Sequence, residues 1–298
     1  MTTTPLATLL AKKRPLILDG AMGTELQRRG ANTLLPLWSA EALVLSPALV
    51  RQIHEEYIRA GADIITANTF RTTRRTFVRT GLPDRSQRLT TTALSLARQA
   101  REVFRDRDIL VAGSIAPLED SYRPELVPPQ RALEEEHAEL AGRLAEGGAD
   151  FLLLETMGTI REAVAACKAA AATGKEVVAS FLCNENGDLY GGEPLHDAVA
   201  ALQPFAPTAL SINCVSPRVI EKALARLCAA SSLPFGVYAN VGIPGKEHNV
   251  VMSCDVNEEE YSAFALRWQQ QGAAIIGGCC GTTPAYIRRM VEAMRAGA

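Results

Sequence analysis

Cys279 and Cys280 stand side by side after Gly277 and Gly278, at the end of a short apolar run over residues 273–276. Neighbouring cysteines are poorly placed to bond each other, because the eight-membered ring of such a disulfide strains the peptide between them. Both sulfurs can instead reach one metal ion if the chain curls around it, and the two glycines permit the tight turn. A third thiolate must come from elsewhere. Cys183 and Cys214 each close an apolar run, and Cys214, in residues 209–216 (ALSINCVS), is preferred because its run lies nearer the last one in order. A zinc site of three cysteines is the expectation, and three protein ligands leave a coordination position open, as at a catalytic zinc. The competing reading is that cysteines here are small apolar core residues, which is the role assigned to Cys167 and Cys228 on their helical stripes.

Two carboxylates also emerge from apolar runs. Asp19, in residues 16–23 (LILDGAMG), could cap a helix over 24–29. Alternatively it meets an amino group while the backbone N–H groups of Gly20, Ala21 and Met22 hold a carboxylate. Glu155 follows three leucines, and burying its charge costs free energy unless a cation meets it, so a ligand ammonium is the expected partner. His54, His137, His196 and His248 lie away from strand ends and are read as structural or surface residues. No G-x-x-x-x-G-K-[ST], no convincing G-x-G-x-x-G after a strand and no G-x-S-x-G is present, so nucleotide, dinucleotide and serine-hydrolase chemistry have no support.

These groups need a scaffold that brings distant strand ends together. About eight β-type runs alternate with helical patterns, at residues 15–19, 62–68, 109–114, 150–155, 176–182, 208–214, 234–240 and 273–279. Most are continuously apolar, as strands covered on both faces should be. Ser46-Pro47, Ser216-Pro217 and Thr283-Pro284 read as helix starts, Asn257 with Glu260 as a capping box, and Gly61 as a helix stop. The pattern predicts a single-domain (β/α)8 TIM barrel over residues 1–298, with its active site at the C-terminal ends of the strands. A doubly wound open sheet is the alternative fold. The 298 residues, 47% apolar with a net charge of −2, fill one such barrel and give no reason to expect nucleic acid or an acidic membrane surface. Seven cysteines without a recognisable leader suit a reducing cytoplasm. The oligomeric state is not legible.

The motifs at residues 17–26 (ILDGAMGTEL), 61–70 (GADIITANTF), 152–156 (LLLET), 212–214 (INC) and 277–284 (GGCCGTTP) resemble those of the homocysteine S-methyltransferase family, over nearly the whole chain. Its members are zinc-dependent barrels that methylate the thiol of homocysteine to give methionine. The resemblance implies that Cys214, Cys279 and Cys280 hold Zn2+, with Asp19, Gly20, Ala21, Met22, Glu155 and Thr156 around the amino-acid end of homocysteine. Asn240 is a candidate spare fourth ligand. Modules for cobalamin and folate, or the extension of betaine-using members, are not recognisable. The resemblance therefore favours a sulfonium donor, S-methylmethionine or S-adenosylmethionine, with Trp38, Asn68, Phe70 and Tyr238 as donor-pocket candidates. Alternatives are a betaine-like quaternary amine, methylcobalamin or folate on a separate protein, a selenol acceptor, or a zinc- and thiol-binding protein without turnover.

Overall fold

The computed structural model describes residues 4–12, 14–242 and 254–296, and His248 lies outside them. Among these residues eight parallel strands form one sheet: β1 (Leu16–Ile17), β2 (Ile64–Thr66), β3 (Leu110–Ile115), β4 (Phe151–Met157), β5 (Val177–Phe181), β6 (Ala209–Asn213), β7 (Phe235–Ala239) and β8 (Ile275–Gly278). Neighbours pair in sequence order from β2 round to β8, and β8 pairs with β1. A parallel bridge between Leu18 and Ile64, with the Asp19 N–H on the Ile64 carbonyl at 2.9 Å, joins β1 to β2 and closes the ring. All eight expected strands are present; six are shorter than the apolar run that announced them, while β3 equals its run in length and β4 exceeds it by one residue.

Alternation along the strands divides the core in two. Leu16 and Leu18, Leu110 and Ala112, and Phe151 and Leu153 fill the barrel interior, whereas Ile17, Val111 and Leu152 face the surrounding helices. Both faces are therefore apolar, which is why the strands read as unbroken runs. A helix over Leu6–Leu10 sends Leu6 and Leu9 into the interior cluster. Glu176, just before β5, accepts the Leu6 and Ala7 N–H groups, both at 2.7 Å. The helix thus plugs the N-terminal end of the barrel and leaves the opposite end as the mouth.

Local chemistry sets the return helices. Pro47–Ala60 begins with proline at its first position and stops at Gly61, whose φ of 117° is accessible chiefly to glycine. Asn257 and Glu260 form the reciprocal capping box of Glu258–Gln270, and the Ser216 side chain caps Pro217–Ala230. Ser46 makes no such side-chain bond. Cys167 is buried as expected; Cys228 is exposed, because its position on Pro217–Ala230 falls outside the buried stripe of Val219, Ile220, Ala223, Leu224 and Leu227.

Candidate functional site

A cavity of about 420 Å3 opens at the C-terminal ends of the strands. Cys214 after β6 and Cys279 and Cys280 after β8 line its floor. Their three Sγ atoms all lie within 4.8 Å of one another, Cys214 and Cys280 being 3.8 Å apart, and none is in a disulfide. Cys183, the other strand-end cysteine, is buried against Leu189 and has no place in this group.

The backbone is shaped to make that triangle. Cys214 has a φ of 60°, a left-handed conformation that costs a non-glycine residue roughly 1–3 kcal/mol. It is held there from two sides: the Asn240 Nδ2 donates to the Cys214 carbonyl at 2.9 Å, and the Tyr122 hydroxyl donates to the same oxygen at 3.0 Å while lying 3.3 Å from Cys214 Sγ. The Cys279 N–H bonds the Ala239 carbonyl at 2.8 Å, and Thr282 Oγ1 donates to the Cys279 carbonyl at 2.7 Å. Hydrogen bonds from Cys279 and Cys280 hold the Cys214 thiol well below its usual pKa, and the same contacts hold the two donors up. Burial and the nearby Cys214 charge keep the Tyr122 phenol protonated, so it serves as a donor. Three converging cysteine sulfurs at the cavity form a set of potential ligands for a soft or borderline cation.

Beside the sulfurs stand both carboxylates. Asp19 accepts from the Thr66 N–H at 2.8 Å and from Thr66 Oγ1 at 3.0 Å, and Glu155 accepts from the Ser114 hydroxyl. Burial, the main cause in each case, raises Asp19 to about 7 and Glu155 to about 8. Asp19 is no helix cap: the following helix, Gly23–Arg28, has no side-chain cap bond. Glu155 is aimed by its neighbour. Thr156 has a φ of 66°, and Asn213 fixes it, accepting the Thr156 N–H and donating to Thr156 Oγ1, both at 2.9 Å. Ser180 donates to the same Asn213 oxygen at 2.7 Å.

Of the three backbone donors expected at residues 20–22, Ala21 is already engaged, its N–H bonding Thr282 Oγ1 at 3.2 Å. Those of Gly20 and Met22 have no protein partner among the described residues. The Tyr57 hydroxyl bonds the Ala21 and Thr282 carbonyls at 2.8 and 3.1 Å, locking this loop to the one carrying the cysteines. Only glycine fits at position 20, since a Cβ there would lie 2.7 Å from Thr282 Oγ1 and 2.8 Å from the Tyr57 hydroxyl.

Trp38, Asn68, Phe70 and Tyr238 all line the cavity. The Trp38 indole covers Gly23 so closely that a Cβ there would lie 2.3 Å from its Nε1. Asn68 is committed at both ends to Ser39: it accepts the hydroxyl at 2.6 Å and donates to the carbonyl at 2.9 Å. Its place in the cavity wall is thus fixed through Ser39. Asn240 does not line the cavity; its Nδ2 serves the Cys214 carbonyl, while its buried Oδ1 has no partner. Asn184, another strand-end amide, instead closes its own turn by bonding Asn186 and Leu189. Sequence reasoning missed Arg71, Tyr122 and Thr282, which only the fold brings to the mouth.

The sequence matches the homocysteine S-methyltransferase family over residues 16–294. The chain belongs to that family. It is 36% identical over 301 residues to the homocysteine S-methyltransferase of Escherichia coli (strain K12), covering 95% of this chain and 96% of that one. It is 30% identical to the selenocysteine Se-methyltransferase of Brassica oleracea var. italica, over 91% and 86% of the two chains. The metallated crystal form of the Escherichia coli homocysteine methyltransferase MmuM superimposes with a TM-score of 0.85 at 34% identity, covering 99% of this chain and all of that one. The carboxyl transferase domain of Rhizobium etli pyruvate carboxylase, with a TM-score of 0.55 and 15% identity, shares the barrel alone. This homocysteine S-methyltransferase therefore places a three-thiol floor and two buried carboxylates in one cavity.

The Asn213 clamp yields a first expectation. Asn213→Ala strands the Thr156 N–H and hydroxyl in the interior and lets Glu155 and Cys214 relax. Methyl transfer to homocysteine falls roughly 10–100-fold, the range for losing a group that orients a residue of the site. Urea unfolding reports a loss of roughly 2–3 kcal/mol.

Proposed function

We propose that this chain transfers a methyl group from a sulfonium donor, S-methylmethionine or S-adenosylmethionine, to the thiol of homocysteine, giving methionine, with zinc held by Cys214, Cys279 and Cys280. The observation that carries this reading is the sulfur triangle beside Asp19 and Glu155 in a single cavity. Tetrahedral zinc with Zn–S bonds of about 2.3 Å separates its sulfurs by roughly 3.8 Å, matching the 3.8 Å between Cys214 and Cys280. When bound, the ion lowers the pKa of a coordinating thiol from about 8.5, so that thiolate is available at neutral pH.

The protein's own groups then bind and aim. Glu155 and Asp19 take the homocysteine ammonium, the Gly20 and Met22 N–H groups take its carboxylate, and the side chain extends toward the cysteines. The homocysteine sulfur attacks the donor methyl carbon in line, the carbon–sulfonium bond breaks, and its electron pair leaves with the donor as a neutral thioether. Thiolate and sulfonium charges cancel, so a water-poor cavity favours the transition state over the separated ions. No general base is required once the thiol proton has gone to solvent, and no histidine lines the cavity among the described residues. Trp38, Phe70 and Tyr238 offer aromatic faces to the sulfonium.

A selenol acceptor is the second reading, favoured by the likeness to a selenocysteine Se-methyltransferase. Metal-loaded protein is offered homocysteine, or selenocysteine, with S-methylmethionine, S-adenosylmethionine, betaine or methylcobalamin. Methionine forms from homocysteine with at least one of the two sulfonium donors. Product from betaine or methylcobalamin alone moves the donor class, and stoichiometric thiol binding without product leaves a thiol-binding protein.

A further inference from the structure

Arg71 is the group at the mouth that the reaction, as described, does not use. Two arginines line the cavity. Arg123 is engaged by Glu125 at the surface. Arg71 is stacked over the Phe70 ring, its Cζ 5.3 Å from the centroid, and its Nη1 donates to the Glu119 carbonyl at 3.1 Å. The Glu119 carboxylate is already taken by Arg75 at 3.0 Å and Arg79 at 2.6 Å, and among the described residues Arg71 makes no ion pair. A guanidinium carries five N–H donors in a planar fork, and the described residues use one. Burial lowers the Arg71 pKa even though the charges of Asp120 and Glu119 draw it up, so these carboxylates, neither of them paired with the guanidinium, do not make good the lost solvent. Leaving it so is costly unless a ligand supplies the anion.

Asp120 faces the same cavity without closing on Arg71: its Oδ1 accepts the Tyr122 N–H at 3.0 Å. The Arg71 cation thus stands on the rim segment after β2, and the Asp120 anion on the segment after β3 that also carries Tyr122. Phe70, one of the aromatic faces offered to the sulfonium, is the surface on which the Arg71 fork rests. Resting on the sulfonium reading above, we propose that Arg71 binds the carboxylate of the methyl donor and is the residue that selects an amino-acid sulfonium, with Asp120 placed for the donor ammonium. The cavity then recognises an amino acid at each end: homocysteine at Asp19 and Glu155, the donor at Arg71 and Asp120.

The test pairs a change in the protein with the matching change in the donor. Wild type and Arg71→Met are assayed with S-methylmethionine and with its decarboxylated counterpart, (3-aminopropyl)dimethylsulfonium. In wild type, removing the carboxylate lowers donor kcat/KM about 30-fold, the range for a hydrogen bond between charged groups. Arg71→Met lowers kcat/KM for S-methylmethionine by the same factor and leaves the decarboxylated donor within about threefold. The KM for homocysteine is unchanged, and Arg71→Lys, which keeps the charge without the fork, lies between. Equal losses with both donors, or a rise in the homocysteine KM instead of the donor KM, overturn the assignment while leaving the methyltransferase reading intact. A wild type inert with every sulfonium overturns both together.

Discussion

Cys279→Ser abolishes methyl transfer while leaving the barrel folded. A serine hydroxyl does not ionise to supply the lost thiolate, and two remaining sulfurs hold a divalent ion far less tightly than three. Metal content falls from about one equivalent to less than about a tenth, and methionine formation drops by at least about 10³-fold, because both the thiolate and its positioning are lost. The fold leans little on Cys279, which is only partly buried at the mouth, whereas the barrel interior is built from Leu16, Leu110, Phe151 and their neighbours. The melting temperature of the metal-free proteins therefore agrees within about 3 °C, a change of no more than about 2 kcal/mol for a chain of this size. Bound-metal analysis and calorimetry on the same sample check both halves, and a variant that keeps a full equivalent of zinc removes Cys279 from the ligand set.

Glu155→Ala acts on the other end of the same substrate. The ammonium of homocysteine loses a buried carboxylate, an omission worth about 2–5 kcal/mol when one partner of a desolvated charge pair is truncated. The KM for homocysteine accordingly rises about 10²-fold, while kcat changes by no more than about threefold, since the carboxylate binds the substrate and not the transferring methyl. The pH dependence carries the sign. Burial raises Glu155 to about 8, so in the ligand-free protein near pH 7 it is largely protonated. An ammonium requires the carboxylate, so binding expels that proton and homocysteine affinity rises with pH up to about 8. Loss of the thiol proton adds to the same slope. In Glu155→Gln the slope of log KM against pH between 6 and 8 is shallower than in wild type by about one proton. Identical slopes place Glu155 outside the binding event.

What the sequence made legible follows from which forces leave a local trace. Strands buried on both faces must be apolar throughout, so all eight announced themselves, and a carboxylate after Leu152, Leu153 and Leu154 was visible as an anomaly. The Cys279-Cys280 pair was visible for the same reason, as a chemically awkward way to fill a core. The orienting groups left no such trace. Thr156 and Cys214 adopt left-handed backbone without being glycine, because Asn213, Tyr122 and Asn240 hold them there from other elements. Nothing near Tyr122 or Arg71 in the chain says that β3 and β2 will deliver them to the mouth. The Ala21 amide read as a free donor because its partner, Thr282, lies 261 residues away. The helix Leu6–Leu10 is too short for its periodicity to show that it would plug the barrel floor.

X-ray absorption at the zinc edge, recorded on the metal-loaded protein with and without homocysteine, tests the central claim most directly. The account predicts three sulfur neighbours at about 2.3 Å in the free protein and a fourth when homocysteine is added. A shell of nitrogen and oxygen ligands, or a sulfur count that homocysteine leaves unchanged, would contradict it.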